Sequence, residues 1–361
     1  MEKPCPATTH IPTHVAGPVH IESNACRGEI WVPLATFETP LIPCVNRGAK
    51  VSRLCGGIRA TVMNDNMTRS IVLQAPSSSQ AVAAWQQLNA HKQQIAQEVE
   101  STTRFGKFVD LHGEIVGNLL FIRLAMSTGD AAGHNMLTAA ADKLMTWILQ
   151  QFPYLQYISI SGNTCSDKKV SAINSILGRG KSVVADLLIS SNICEDVLHT
   201  TAQRIVHLHH SKNLMGSIAA GSIRSANAHF ANMLLAFYLA TGQDAANIIE
   251  GSQGIVHAQE HDADLYFSVT LPNLIVGTVG NGKHLDFARK HLELLGCNHQ
   301  NKPQANAQRL AVICAATVLC GELSLLAAQT NPGELMRAHR LLERRNTKKI
   351  PKKVAKTISS I

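Results

Sequence analysis

Residues Ala81–Glu100 read AVAAWQQLNAHKQQIAQEVE. Apolar side chains recur there at helical spacing, and Ser77–Gln80 just ahead offers a capping region. Residues Ile115–Leu124 are rich in β-formers, Asn135–Phe152 returns to helical spacing, and Tyr157–Ile160 reads as a strand. Roughly 71–159 therefore alternates strand, helix, strand, helix, strand. That order predicts a small α+β unit set inside a longer chain.

Outward from this unit the pattern changes. Residues 1–30 are rich in Pro, Thr and His without a period and read as an irregular entry segment. From Trp31 to Val62, short apolar runs broken by Pro and Gly read as strand and loop. After residue 160 the chain is punctuated by glycine and reads as mostly helical. Asn227–Thr241, NAHFANMLLAFYLAT, is apolar nearly all round, which predicts a buried central helix ended by Gly242. Leu265–Val279 is strand-like, and Ala305–Ala328 is a long Ala/Leu-rich helix. Asn331-Pro332-Gly333 breaks the chain before a short amphipathic helix carrying His339. The fold class expected is α+β: a large, mostly helical domain around a buried central helix, with a small domain inserted. The division is 1–70 with 160–330, then 71–159, then a C-terminal segment 331–361.

Composition narrows the function classes. The 361 residues are 45% hydrophobic and 16% charged, with a mean hydropathy of +0.02, which excludes a disordered or low-complexity chain. The formal charge is +8, but from Arg340 onward there are eight basic residues and one acidic. The remaining 25 basic and 24 acidic residues leave the body nearly neutral. With aromatics at 4% there is little to stack on bases, so nucleic acid is not an expected partner. Nine scattered cysteines without a CxxC pair point to reduced thiols and a cytoplasmic location. The N-terminus lacks an apolar signal core. The apolar runs Leu310–Cys320 and Met233–Ala240 fall short of the ~20 residues of a membrane span.

Three motifs mislead. Gly178-Arg179-Gly180-Lys181-Ser182 resembles the end of a phosphate-binding loop, but Ser175 stands where that loop needs its first glycine. His207-Leu208-His209-His210 has no carboxylate or cysteine close by in sequence, so no metal site is expected. Gly280-Asn281-Gly282 is followed by Lys283 and is too short for a dinucleotide fingerprint.

Four polar, glycine-flanked stretches remain: ATFETPLIPCVNRG (35–48), SGNTCSDKK (161–169), GQDAA (242–246) and the helix around His339. Each also reads as a surface loop or a helix cap. Asp244, for instance, could simply begin the next helix.

Taken in order, these stretches resemble the class I 3-hydroxy-3-methylglutaryl-coenzyme A reductase family. The resemblance runs from about Ile11 to Arg345. It is carried by HVAGP (14–18), Glu38 through NRG (46–48), MTR (67–69), GDAAGHNM (129–136) and SGNTCSDKKVSAIN (161–174). GRGKSVV (178–184), KNLMGSIAAGSI (212–223), NAHFAN (227–232), TGQDAA (241–246), GTVG (277–280) and GELSLLAA (321–328) complete it. The chain departs from the family pattern at Lys3–Ala7, where a Glu-Asn-Val-Ile-Gly motif is usual. It departs again at Phe37, Thr39 and Pro40 around Glu38, at Ala132 and His134, at Asn281, and at Ala338.

The resemblance implies reduction of a thioester to a primary alcohol by two NADPH, giving mevalonate and free coenzyme A. By position, Lys168 is the catalytic ammonium that stabilises oxyanion charge. Asp244 is the carboxylate between it and Glu38, Glu38 the proton donor of the second reduction, and His339 the donor to the departing thiolate. Substrate contacts implied are Arg69, Ser161, Asn163, Asp167, Lys169, Lys212 and Asn232. Cofactor contacts implied are Arg104, Phe105, Asp130, Gly133, Asn135, Met136 and Gly280, with 71–159 a ferredoxin-like NADP-binding domain. An obligate homo-oligomer with its active site between subunits also follows, and no metal is called for. The alternative is a non-catalytic coenzyme A-binding or scaffold protein that kept the fold.

Overall fold

The computed structural model describes residues 9–298 and 304–347, and the side chains as far as residue 341. Lys3–Ala7 and most of the basic C-terminal segment lie outside the described residues. Nine strands form one branched sheet: β1 (Thr13–Glu22), β2 (Arg27–Ala35), β3 (Ile58–Gln74), β4 (Lys107–Val116), β5 (Leu119–Ser127), β6 (Gln156–Ser159), β7 (Gly180–Ile189), β8 (Ile255–His261) and β9 (Asp264–Leu274).

The branch point is β3, 17 residues long. Its first half pairs antiparallel with β7, in the order β2-β1-β3-β7-β9-β8. Its second half leaves that partner and pairs antiparallel with β5 and β6, with β4 beyond β5. Burial changes with the partner. Residues 59–66 are mostly exposed or half-buried, whereas Met67, Ile71 and Leu73 are at most 1% exposed. Each half of the strand thus serves its own apolar core. One core gathers residues Ala16–Ala60, Val183–Val276 and Leu292–Ala327, and the other gathers Met67–Leu155 with Ile275. The expected boundary at 70/71 falls inside β3.

The second core keeps the expected helices and outer strands, but Ile115–Leu124, read as one strand, spans the turn of the β4–β5 hairpin. Ser77 caps the helix Ser78–Ala90 by accepting from the Gln80 N–H at 3.3 Å. A turn at His91 separates it from the helix Lys92–Glu100. Helix His134–Gln151 packs on both Lys92–Glu100 and β3.

The large part is not mostly helical, which corrects the expectation. Six of the nine strands run through it, and two of them, β7 and β1, had read otherwise for identifiable reasons. In β7, Val183, Ala185, Leu187 and Ile189 alternate inward at no more than 2% exposure. The residues between them are also largely apolar, and short apolar runs do not separate strand from helix. β1 carries Pro18, which ordinarily argues against a strand. Here the register against β2 shifts between Ala16 and Val19, accommodating a residue that cannot donate to the ladder. Where strand and loop were expected before residue 62, Leu41–Leu54 is a helix. Its two apparent breakers are harmless: Pro43 sits in the first turn, where its missing N–H is not needed, and Gly48 permits close packing. A Cβ on Gly48 would lie 2.2 Å from the Cys320 carbonyl oxygen.

Phe230–Ala240 is buried as expected, yet the helix at the centre of the packing is Ala305–Gln329, touching four helices and five strands among the described residues. At 25 residues it is long and apolar enough to cross a membrane, more than its sequence runs had indicated. However, 94% of its most apolar window is buried inside the protein, which identifies it as a core helix.

Candidate active site

The segment 160–171 leaves β6 and begins by tying Gly162 N–H to the Ser70 carbonyl of β3 at 3.0 Å. It carries Asp167, Lys168 and Lys169. Asp244 arrives from elsewhere: helix Phe230–Ala240 stops, Gly242 turns with φ +66°, and Gln243 is clamped to Gly277 by two hydrogen bonds of 3.0 Å. These constraints bring Lys168 Nζ to 2.7 Å from Asp244 Oδ2. Asp244 also accepts from Ala246 N–H at 3.1 Å, so it caps a short helix as well as pairing. The hydrogen bond and charge of Asp244 raise the Lys168 ammonium above its ordinary value against a burial cost. Burial alone would raise the Asp244 carboxyl, but Lys168 and the Ala246 N–H together hold it low.

The pair faces a cavity of about 700 Å³. Arg69, Asp167, Gly133, Asn135, Met136 and Gly280, all expected site residues, line it with them. Arg69 Nη1 lies 4.0 Å from Asp167, and its Nε donates to the Ile160 carbonyl at 3.1 Å. Gly133 has φ +98°, and a Cβ there would lie 2.4 Å from Thr128 Cγ2; only glycine fits, and the next residue starts helix His134–Gln151. Two lining residues escaped sequence reading. His134 is pushed below its usual range by burial and by Arg179, with Asp167 opposing. Burial lowers Lys283 to about 8, with Asp244 opposing. Lys283 directly follows the Gly280-Asn281-Gly282 turn that had been set aside, and the only signal was a cation beside paired glycines.

Glu38 and His339 line a different cavity of about 400 Å³. Its walls are apolar, including Leu41, Leu325, Ala328 and Leu335, with His229 and Asn232 among the polar groups. Glu38 Oε2 accepts from Asn232 Nδ2 at 2.9 Å. Thus Asp244 contacts Lys168, whereas the partner seen for Glu38 is Asn232. Beneath this cavity, Glu322 is fully buried and accepts from the N–H groups of Ala228 and His229 at the start of helix Phe230–Ala240. Burial pushes its carboxyl up to about 7. Burial drives His229 down to about 4, its Nε2 lying 2.9 Å from the Gly321 carbonyl. Lys212 is also lowered by burial, with Glu322 opposing.

The other expected residues are scattered more widely. Ser161, Asn163 and Lys169 are exposed along the 160–171 segment, and Lys169 Nζ donates to the Asp167 carbonyl at 3.1 Å. Asp130 Oδ1 accepts from Ala307 N–H at 2.9 Å, at the start of the core helix. Arg104 and Phe105 are exposed, with Phe105 beside Gly129 and outside the cavity wall. Among the described residues no three His, Cys, Asp or Glu cluster as metal ligands.

An ammonium–carboxylate pair at a cavity lined by glycine turns and a helix N-terminus could stabilise negative charge developing beside an anionic ligand. The comparisons with known proteins narrow this class. Residues 5–344 match the family model of hydroxymethylglutaryl-coenzyme A reductase. The chain is 46% identical over 338 residues to the 3-hydroxy-3-methylglutaryl-coenzyme A reductase of Aeropyrum pernix, covering 92% of this chain and 79% of that one. It is 44% identical to that of Pyrococcus abyssi, covering 92% and 82%. In fold it resembles a class II reductase of this name from Streptococcus pneumoniae, solved bound to NADPH. The TM-score is 0.71 at 20% identity, with 91% and 88% of the two chains covered. The chain belongs to the hydroxymethylglutaryl-coenzyme A reductase family.

Proposed function

We propose that the protein is a class I reductase that converts 3-hydroxy-3-methylglutaryl-coenzyme A to mevalonate and coenzyme A with NADPH. The observation that carries this is the 2.7 Å Lys168–Asp244 pair at the wall of the 700 Å³ cavity. Addition of hydride to a carbonyl leaves negative charge on oxygen, and a fixed ammonium stabilises it where it forms. Asp244 keeps Lys168 charged and aimed. The residues around the cavity suit a dinucleotide. The first residues of helix His134–Gln151 and the cations Arg69 and Lys283 offer positive charge for its phosphates, and glycines at 133 and 280 leave room for its backbone. When bound, NADPH supplies the hydride. Asn135, Met136 and Gly280 would hold it, with Arg104 and Phe105 reaching its outer end.

The order β6-β3-β5-β4, all antiparallel, with helices 78–100 and 134–151 packed together, supports reading 71–159 as a ferredoxin-like cofactor domain. The remainder would bind the substrate, with Asp167, Lys169, Lys212, Asn232, Ser161 and Asn163 contacting its hydroxymethylglutaryl part. The eight described cysteines are all free thiols, which suits a cytoplasmic enzyme. Glu38 and His339 supply protons, one to the aldehyde-level carbonyl and one to the thiolate. They line the second cavity, so the complete site is assembled from two copies, one contributing Lys168 and Asp244 and the other Glu38 and His339. Exposed Met215 and Ile218, 61% and 70% accessible and close in sequence to Lys212, suit such an interface.

Two experiments test this. NADPH oxidation with the thioester substrate, run beside NADH, should show turnover with NADPH that disappears in Lys168→Ala. Co-expressed Lys168→Ala and Glu38→Ala chains, each inactive alone, should recover about a quarter of wild-type activity, because half the dimers hold one intact site. No recovery would place all four groups within one chain.

A further inference from the structure

The Gly178-Arg179-Gly180-Lys181-Ser182 stretch that imitates a phosphate loop opens β7, with positive φ at Gly178 and Gly180. A Cβ on Gly180 would lie 2.5 Å from the Leu274 carbonyl, so the chain is drawn hard against β9. Both cations of the stretch turn inward, leaving Arg179 1% and Lys181 2% exposed. Lys181 pairs with Asp65 at 3.1 Å, away from the Lys168 cavity. Arg179 does something different. Its Nη1 lies 2.7 Å from Oε1 of the fully buried Glu250, and its Nη2 lies 2.9 Å from Asp167 Oδ1.

Glu250 connects this guanidinium to the loop above it. The same Oε1 accepts the backbone N–H of Lys168 at 3.1 Å and Asn247 Nδ2 at 3.0 Å. Lys168 has φ +56°, and Asn163 and Ser166 also have positive φ, at 62° and 47°. Three non-glycine residues in the left-handed region within six positions persist only where their surroundings over-determine them. Asn174 adds a further tie by donating to the Ser166 carbonyl at 2.9 Å. A buried ion pair is a poor source of stability, because desolvation offsets its attraction. What this one does is fix two neighbouring loop residues from below, one by its side chain and one by its backbone.

We infer that Arg179 and Glu250 are positioning residues: the Arg179–Glu250 pair holds the Lys168 backbone and the Asp167 carboxylate so that the Lys168 ammonium meets Asp244 at the cavity wall. This rests on the role given to Lys168 under the proposed function. The pair lines neither the Lys168 cavity nor the Glu38 cavity, so it acts on the site through Lys168 and Asp167.

The test compares Glu250→Gln, the double variant Arg179→Met/Glu250→Leu, and the matched control Lys181→Met/Asp65→Leu from the same strand. Melting temperature, kcat, KM and the pH dependence of Lys168 acetylation by acetic anhydride, read by peptide mass spectrometry, are measured for each. Removing both members of the pair leaves no fully buried charge behind, and Asp167, which is 25% exposed, keeps Arg69 at 4.0 Å, so the double variant should melt within a few degrees of wild type. Its kcat should fall on the order of 10–10²-fold with KM little changed, the signature of a misplaced catalytic group. The midpoint of Lys168 acetylation should move down towards that of an ordinary lysine. Glu250→Gln, which keeps the shape and one oxygen acceptor, should fall between the two. The control should lose stability at most, with kcat and the Lys168 midpoint unchanged. A folded double variant or Glu250→Gln protein with wild-type kcat and an unshifted Lys168 midpoint would overturn the inference. If the wild-type protein turns over no substrate, the reductase reading fails, while the acetylation midpoints still decide the positioning role.

Discussion

The central groups of the two cavities treat charge differently. At the Lys168 cavity the central pair stays ionised: Lys168 is raised and Asp244 lowered by each other, on a loop tied to a buried guanidinium, although burial lowers Lys283 and His134 on the same wall. Around the Glu38 and His339 cavity, burial drives groups towards neutrality, with Glu322 pushed up to about 7 and His229 down to about 4. The first cavity is built from turns and a loop with paired ions, and the second from helices with apolar walls. The contrast suits the two chemical tasks proposed for these cavities. Stabilising an oxyanion needs a permanent fixed charge, whereas donating a proton needs a group whose charged and neutral forms are close in energy.

The strongest way to break this comparison is Lys168→Ala. It should lower kcat by at least ~10²-fold, while the melting temperature stays near wild type because the side chain is 38% exposed. Retained turnover would remove Lys168 from the charge-stabilising role. His339→Ala should cost ~10²-fold on the thioester and far less on free mevaldehyde. Equal losses on the two substrates would end the thiolate-protonation assignment. Lys283→Met should raise the KM for NADPH roughly tenfold with little change in kcat, one charge-assisted contact being lost. An unchanged KM would place the phosphates elsewhere.

The smallest effect concerns the neutralising side. A carboxyl raised by folding contributes stability that is present below its unfolded value and lost as the pH rises through about 7. Glu322→Gln removes that dependence. Its melting temperature relative to wild type should therefore be a few degrees more favourable at pH 8 than at pH 5. A difference independent of pH would mean Glu322 ionises freely. His229 acts in the opposite sense: its neutral form is favoured on folding, so its contribution is lost as the pH falls from about 6.5 towards 4.

Legibility differed in the same regional way. The 71–159 unit was readable because its helices have one buried face and its strands lie beside turn residues, so local pattern and tertiary role agree. Around the large sheet they disagree. β1 hides behind Pro18, the helix Leu41–Leu54 behind Pro43 and Gly48, and β7 behind a run apolar on both faces. At the site, Lys168, Asp244, Glu38 and His339 were identified as chemistry-bearing residues from the stretches that contain them. The resemblance already implied that Asp244 lies beside Lys168, but the contact of Glu38 with Asn232 was not legible, because 194 positions separate the partners. Lys283 and Glu250 carried no motif.

By itself the sequence determined which residue types are available: an α+β unit inside a larger chain, free thiols, and a set of polar glycine-flanked stretches that place the chain in its family. Only the tertiary structure decided that β3 serves two cores, that the phosphate-loop look-alike buries its cations, and that Lys168 with Asp244 and Glu38 with His339 line different cavities. The reason is physical. Backbone propensity and apolar period act over a few residues, whereas an ion pair, a close helix contact at Gly48 or a cavity wall depends on groups brought together by packing alone.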